Sequence, residues 1–164
     1  MTAADLLCHL EAHRLCVTER LDALPDEVVH AQPAPGAWSL AQVAEHLFKI
    51  DAGLEVAGVS PSRPVRWTSR ARCAVLCGVL ALPVRIPAPP SARGVMPSSA
   101  PRWSGVRERW TALRAAWPAD LEGAGFRHPL FGPFVGADAL AFLLAHHRHH
   151  DAQIRRTLGA LEVE

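Results

Sequence analysis

Two histidines four residues apart, His146 and His150, carry the clearest chemical signal in the sequence. On a helix, an i, i+4 pair stacks its side chains about one turn apart on one face, a spacing at which two imidazoles can chelate one cation. Counted at about 100° per residue, His150 falls near the centre of the apolar stripe Leu140, Leu143, Leu144, Ile154, Leu158 and Leu161, and His146 falls on its flank. Imidazoles set among leucines need partners for their ring nitrogens, and a metal supplies one. His149 falls away from the stripe and reads as a surface residue. His147 lies across the stripe from His146, where core packing or a hydrogen bond across helices competes with ligation.

A third protein ligand must come from another helix, and spacing alone leaves two candidates. His46 lies on the flank of an apolar face built by Val43, Leu47, Ile50 and Leu54. His13 falls on the apolar stripe of the first helix and follows His9 at chelating spacing. No general base stands out, because Asp51 and Asp151 point partly away from the histidines and read as helix-surface charge.

The elements that would carry these residues can be outlined from periodicity. Leu6, Leu10, Val17, Leu21 and Leu24 mark one face of a helix from about Thr2 to Leu24, stopped by Pro25. A polar, Pro-rich connection leads to Ser39, which can cap a second helix with Gln42 reaching back. That helix is expected to run to about Gly58. Arg66 to Leu82 could form a short helix, whereas Pro83 to Pro101 is too rich in proline for regular structure and reads as a crossover. Trp103, Val106, Trp110, Leu113 and Trp117 form the core stripe of a third long helix ending before Pro118. After the turn-rich His128–Phe134 stretch, the last helix runs from about Ala137 to Leu161. Four amphipathic helices with one long crossover predict an all-α four-helix bundle in a single domain over 1–164, with its site between facing helices.

Composition narrows the function classes. The 164 residues carry a formal net charge of +1, which argues against whole-protein attraction to nucleic acid or to an anionic membrane. The longest apolar stretch, Cys73 to Leu82, is far short of the roughly 20 residues that cross a bilayer, and Asp5 and Glu11 occupy the N-terminal region where a signal peptide would be basic and then apolar. The expectation is a cytoplasmic protein. Cys8, Cys16, Cys73 and Cys77 form no CxxC and read as free thiols. Between Val56 and Arg107 the chain has Arg63, Arg66, Arg70, Arg72, Arg85, Arg93, Arg102 and Arg107 and no acidic residue. A solvated loop or a charged subunit contact is the expected role, with carboxylate capture as the alternative.

The segment Pro35-Gly36-Ala37-Trp38-Ser39-Leu40-Ala41-Gln42-Val43-Ala44-Glu45-His46-Leu47, with His146-His147-Arg148-His149-His150-Asp151-Ala152-Gln153-Ile154, resembles the DinB-like (YfiT-type) superfamily of damage-inducible four-helix-bundle metalloproteins. The stretch from His128-Pro129 to Gly132-Pro133 is also similar to the lead-in to that family's last helix. The resemblance spans nearly the whole chain. It implies an up-down-down-up bundle whose long crossover joins helices two and three. It assigns the metal ligands to His46, His146 and His150, leaving Gln153 and His13 as partners standing behind them.

Three neutral imidazoles on a divalent ion leave a position open, where a water or a thiol is acidified. Zinc or nickel suits such a site best, and iron or manganese if a carboxylate joins. The resemblance implies a thiol-dependent S-transferase that activates a low-molecular-weight thiol against a small-molecule substrate. A metal-dependent hydrolase is the alternative, and a non-catalytic, metal-stabilised stress-response protein is a third reading. A homodimer is expected from the resemblance and from the apolar Cys73 to Leu82 stretch. No motif fixes a substrate.

Overall fold

The computed structural model describes residues 1–56, 66–82, 90–117, 121–128 and 131–162. Among them the chain forms α1 (Ala3–Asp22), α2 (Asp26–His30), α3 (Leu40–Asp51), β1 (Leu54–Val56), α4 (Arg66–Leu80), α5 (Trp103–Ala115), β2 (Ala124–His128), β3 (Gly132–Val135) and α6 (Ala137–Ala160), with a 3-10 turn at Pro90–Val95. The fold is mostly helical, as expected.

α1 begins on a reciprocal cap in which the Thr2 hydroxyl accepts from the Asp5 amide and the Asp5 carboxylate accepts from the Thr2 amide. Its predicted stripe is buried at Leu6, Leu10, Val17 and Leu21. α3 starts at Ser39 with the anticipated capping box to Gln42 but stops at Asp51, earlier than the expected end near Gly58. Gly53 turns the chain beneath Phe126, whose ring leaves only 2.9 Å to where a Cβ would sit. Leu54, which fits the helical stripe equally well, instead enters β1 opposite Phe126. Residues 57 and 58 lie outside the described residues, as do Pro118, Pro129, Leu130 and 83–89 of the Pro-rich crossover.

β1, β2 and β3 form an antiparallel sheet in that order, with Leu54 paired to Phe126 and Phe126 to Phe134. The all-helical expectation did not include it. Leu54, Phe126 and Phe134 share a core with Ala3, Leu6, Ile50, Ala139 and Leu140, so the sheet closes the end of the bundle where α1 and α6 begin and α3 stops. Gly136, at φ +54°, hands the chain from β3 to α6, its amide donating to the Ala124 carbonyl at 2.7 Å.

α6 packs against α1, α3 and α4, and α3 also against α5. The contacts between α1 and α6 keep the same order along both helices, His13 meeting His147 and Arg20 meeting Asp151. Trp103 and Trp110 are buried and Trp117 is partly buried, in keeping with a core stripe. α4 lies on α6 with Cys73, Leu76 and Leu80 turned inward, while Val75 and Val79, and Leu82 beyond the helix end, are exposed.

The interior falls into two apolar clusters. One gathers Leu6, Leu10, Ile50, Phe126, Phe142 and Leu143; the other gathers Val17, Leu21, Leu40, Leu47, Trp103, Trp110 and Ile154. Full burial of each such side chain contributes about 1.5–3 kcal/mol relative to exposure. Between them runs a polar layer: Arg14 separates Leu10 from Val17 on α1, and His146, His147 and His150 separate Leu144 from Ile154 on α6. No helix among the described residues is long and apolar enough to cross a membrane.

Candidate metal centre

α3 and α6 supply the part of this layer that can hold a cation. His46, from the middle of α3, and His146 and His150, one turn apart on α6, each offer a ring nitrogen, and the three lie within 4.8 Å of one another. The Nε2 atoms of His46 and His146 are 3.3 Å apart. Two imidazoles on a tetrahedral ion, at metal–nitrogen distances of about 2.0–2.1 Å, place their nitrogens about 3.3–3.4 Å apart. The residues therefore fit a divalent ion without rearrangement of that pair.

The outer nitrogens add a second, independent fit. His46 Nδ1 lies 2.7 Å from the Val95 carbonyl, and His150 Nδ1 lies 2.7 Å from Gln153 Oε1. Each acceptor favours the proton on Nδ1 and leaves the Nε2 lone pair directed at the centre. His146 Nδ1 is buried with no hydrogen-bond partner among the described residues. Burial pushes the pKa of all three down from the usual histidine value: His46 against the opposing pull of the Val95 carbonyl, His146 well below with His150 and His46 adding to the effect, and His150 to about 3. All three are thus held neutral, the form that ligates.

Access separates these histidines from their neighbour. His46, His146 and His150 keep 7–8% of their surface, whereas His147 keeps none. Trp38 walls the centre, its ring 5.1 Å from His46 and nearly parallel to His150 at 6.3 Å. Among the described residues, no fourth His, Cys, Asp or Glu joins the group.

His147 faces a different partner. Its Nε2 donates to the Asp51 carboxylate at 3.0 and 3.1 Å. Asp51 Oδ2 also accepts from Arg14 Nε and Trp110 Nε1, both at 2.9 Å. The expectation that Asp51 is helix-surface charge is therefore wrong: it is fully buried, and four helices converge on it. Burial pushes its carboxyl up, but His147 and Arg14 and the Trp110 indole hold it below the usual aspartate value. Asp151 does lie at the surface edge, between Arg20 and Arg155.

His13 meets this second cluster, its ring edge-on to His147 at 5.7 Å, and burial lowers its pKa. His149 is half-buried and hydrogen bonds the Leu80 carbonyl at 2.9 Å, which ties α6 to the end of α4. Of the Arg run, Arg70, Arg93, Arg102 and Arg107 are exposed, and Arg107 pairs with Asp22 at 3.0 Å. Arg63 and Arg85 lie outside the described residues.

One contributor was not anticipated. The segment from Val95 to Ser99 is strapped to α3: Gln42 donates to the Ser98 and Ser99 carbonyls, Lys49 donates to the Met96 carbonyl at 2.8 Å, and Glu45 accepts from the Ser98 amide and hydroxyl at 2.6 and 2.7 Å. Burial pushes the Glu45 carboxyl up, yet the Ser98 bonds, Lys49 and Arg109 bring it below its usual range. The strap carries the carbonyl that orients His46. Sequence periodicity gives no signal for it, beyond polar residues recurring on an otherwise apolar α3.

YfiT from Bacillus subtilis, described as a probable metal-dependent hydrolase with an unusual four-helix bundle topology, aligns over 99% of this chain and 89% of its own at 17% identity and a TM-score of 0.47. TT2238, described as a four-helix bundle protein, aligns over 93% of this chain and 99% of its own at 22% identity and a TM-score of 0.43. No curated protein matches the sequence. The model of the DinB superfamily matches residues 9–154, which take in the polar layer from His13 to Gln153 and all three convergent histidines, and the chain belongs to that superfamily.

Proposed function

We propose that His46, His146 and His150 ligate one divalent metal ion, zinc or nickel, and that the protein is a metal-dependent enzyme acting on a small molecule, with transfer of a low-molecular-weight thiol as its reaction. The observation that carries this reading is the convergence of three neutral imidazoles, two of them with their outer nitrogens already engaged, and no fourth protein ligand among the described residues. An ion held by three imidazoles acidifies a bound thiol or water at neutral pH. The chain's own part is to orient the ligands through Val95 and Gln153, to wall the centre with Trp38 and to keep most solvent out. Hydrolysis is the second reading, because the same open position suits water as well as a thiol. The exposed Val75 and Val79 on the outer face of α4, with Leu82 just beyond its end, support a homodimer across that face.

The test pairs metal analysis with turnover. His46→Ala, His146→Ala and His150→Ala should each weaken metal retention by more than the roughly 10–100-fold that loss of an outer hydrogen-bond partner costs. His149→Ala should leave it unchanged. Metal-loaded and metal-stripped protein are then assayed on a panel of electrophiles with several cellular thiols, and on esters and amides without thiol. Thiol-dependent turnover only in the loaded form supports transfer, whereas thiol-independent cleavage assigns hydrolysis. Full metal content after His46→Ala, with loss after His13→Ala, would move the third ligand to α1. Turnover undiminished by stripping would overturn the metal-dependent reading.

A further inference from the structure

His147 ligates nothing in the proposed centre, yet it follows a ligand in sequence and is more deeply buried than any of the three. Its Nε2 donates to both oxygens of Asp51, at 3.0 and 3.1 Å. Asp51 is the last residue of α3, on which His46 stands, and His147 follows His146 on α6, so this bond joins the same two helices that the ligands join. The carboxylate is itself held from two other helices: Arg14 Nε on α1 and Trp110 Nε1 on α5 both donate to Oδ2 at 2.9 Å. α3 is only 12 residues long. The crossover grips its outer side through Gln42, Glu45 and Lys49, and Asp51 grips α6 on the inner side.

We propose that His147 and Asp51 are positioning residues for the metal centre: their bond sets the register of α3 against α6 that brings the His46 and His146 nitrogens to the separation one ion requires. The inference rests on the reading of His46, His146 and His150 as ligands. The His46 and His146 Nε2 atoms lie 3.3 Å apart, and metal–ligand distances have to hold within about 0.2 Å. A slide of about 1 Å between the helices, less than the rise of one residue, would take the pair out of range. Apolar packing of α3 on α6 is non-directional and resists such a slide weakly. A hydrogen bond to a carboxylate already fixed by two further donors is directional and resists it well. Asp51 therefore acts on the ion through the backbones of α3 and α6, without touching it.

The test is zinc affinity, read by titrating the metal-stripped, full-length protein with zinc against a chromogenic chelator. Cobalt(II) absorption reports the coordination geometry, and urea unfolding of the metal-free form reports the fold. His147→Leu and His147→Met remove the N–H, whereas His147→Gln returns one near the Nε2 position. Both apolar variants should fold, lose about tenfold or more in zinc affinity and show altered cobalt d–d bands. His147→Gln should regain most of that loss. Lowered urea midpoints with wild-type zinc affinity and cobalt spectra would show a purely structural role, overturning the proposal and leaving the three ligands standing. Equal loss of affinity in all three variants would refer the effect to the ring and overturn it too. So would failure of both apolar variants to fold while His147→Gln folds, which makes the bond a requirement of the bundle. A wild-type protein that takes up no zinc overturns the ligand assignment, and the positioning role with it.

Discussion

Replacing Asp51 by alanine tests whether the polar layer beneath the histidines is held together as one charged unit. Asp51 has no solvent exposure, and its carboxylate is the common acceptor for Arg14, Trp110 and His147. Its removal leaves the Arg14 guanidinium buried, with Glu11 as its remaining ion-pair partner, and leaves an indole N–H and an imidazole N–H without an acceptor. Breaking a buried ion pair from one side costs about 3–5 kcal/mol. For a chain of this size that corresponds to roughly 6–20 °C in Tm, at about 2–4 °C per kcal/mol. The assay is denaturant and thermal unfolding of the metal-free protein followed by circular dichroism. Because the penalty comes from stranding a cation, Arg14→Leu added to Asp51→Ala should recover part of the loss, giving a non-additive double-mutant cycle. A loss below about 1 kcal/mol, within the range of ordinary surface pairs, or strict additivity in the cycle, would refute the reasoning.

Acid should destabilise the metal-free protein through the same layer. The unfolded chain protonates its histidines near pH 6.5, but burial depresses the folded values of His46, His146 and His150, the last to about 3. Their contribution is fully present above about 6.5 and is lost as pH falls towards those lower values, with a slope of about 1.4 kcal/mol per pH unit for each histidine. Urea midpoints measured from pH 7 to pH 4 check this; a flat profile would contradict it. Gly136→Ala should cost about 1–3 kcal/mol, because φ is +54° and the Glu122 carbonyl leaves 3.1 Å for a Cβ. Equilibrium unfolding reads that loss directly.

That His146 and His150 share one inward face of α6 was legible because i, i+4 spacing on an apolar stripe stacks two side chains on that face. The choice of His46 over His13 was not legible from periodicity, since both lie on or beside an apolar face, and it came from the Trp38–Leu47 motif. The structure brings His46 to His146 and sends His13 to His147. Asp51 was misread because polarity alone places a carboxylate outside, and what buries it here is the convergence of Arg14, Trp110 and His147 from three other helices. The sheet was missed because Leu54 satisfies a helical stripe as well as a strand, and because strands of three to five residues are too short to establish alternation.

The strap between the crossover and α3 separates two events that a bundle would otherwise join. His46 is oriented by Val95, a residue of the crossover, whereas His146 and His150 stand on α6, whose backbone is set by the core. Releasing Val95–Ser99 from Gln42, Glu45 and Lys49 frees one imidazole and touches the apolar core only at Val95, which packs on the edge of the cluster around Leu6 and Phe142. Exchange of an ion at the proposed site would therefore follow a local opening of a few hydrogen bonds, on a timescale set by the crossover and well short of global unfolding. In the proposed site, retention of the ion at equilibrium would be a property of three histidines, and its residence time would belong to Ser98 and Glu45.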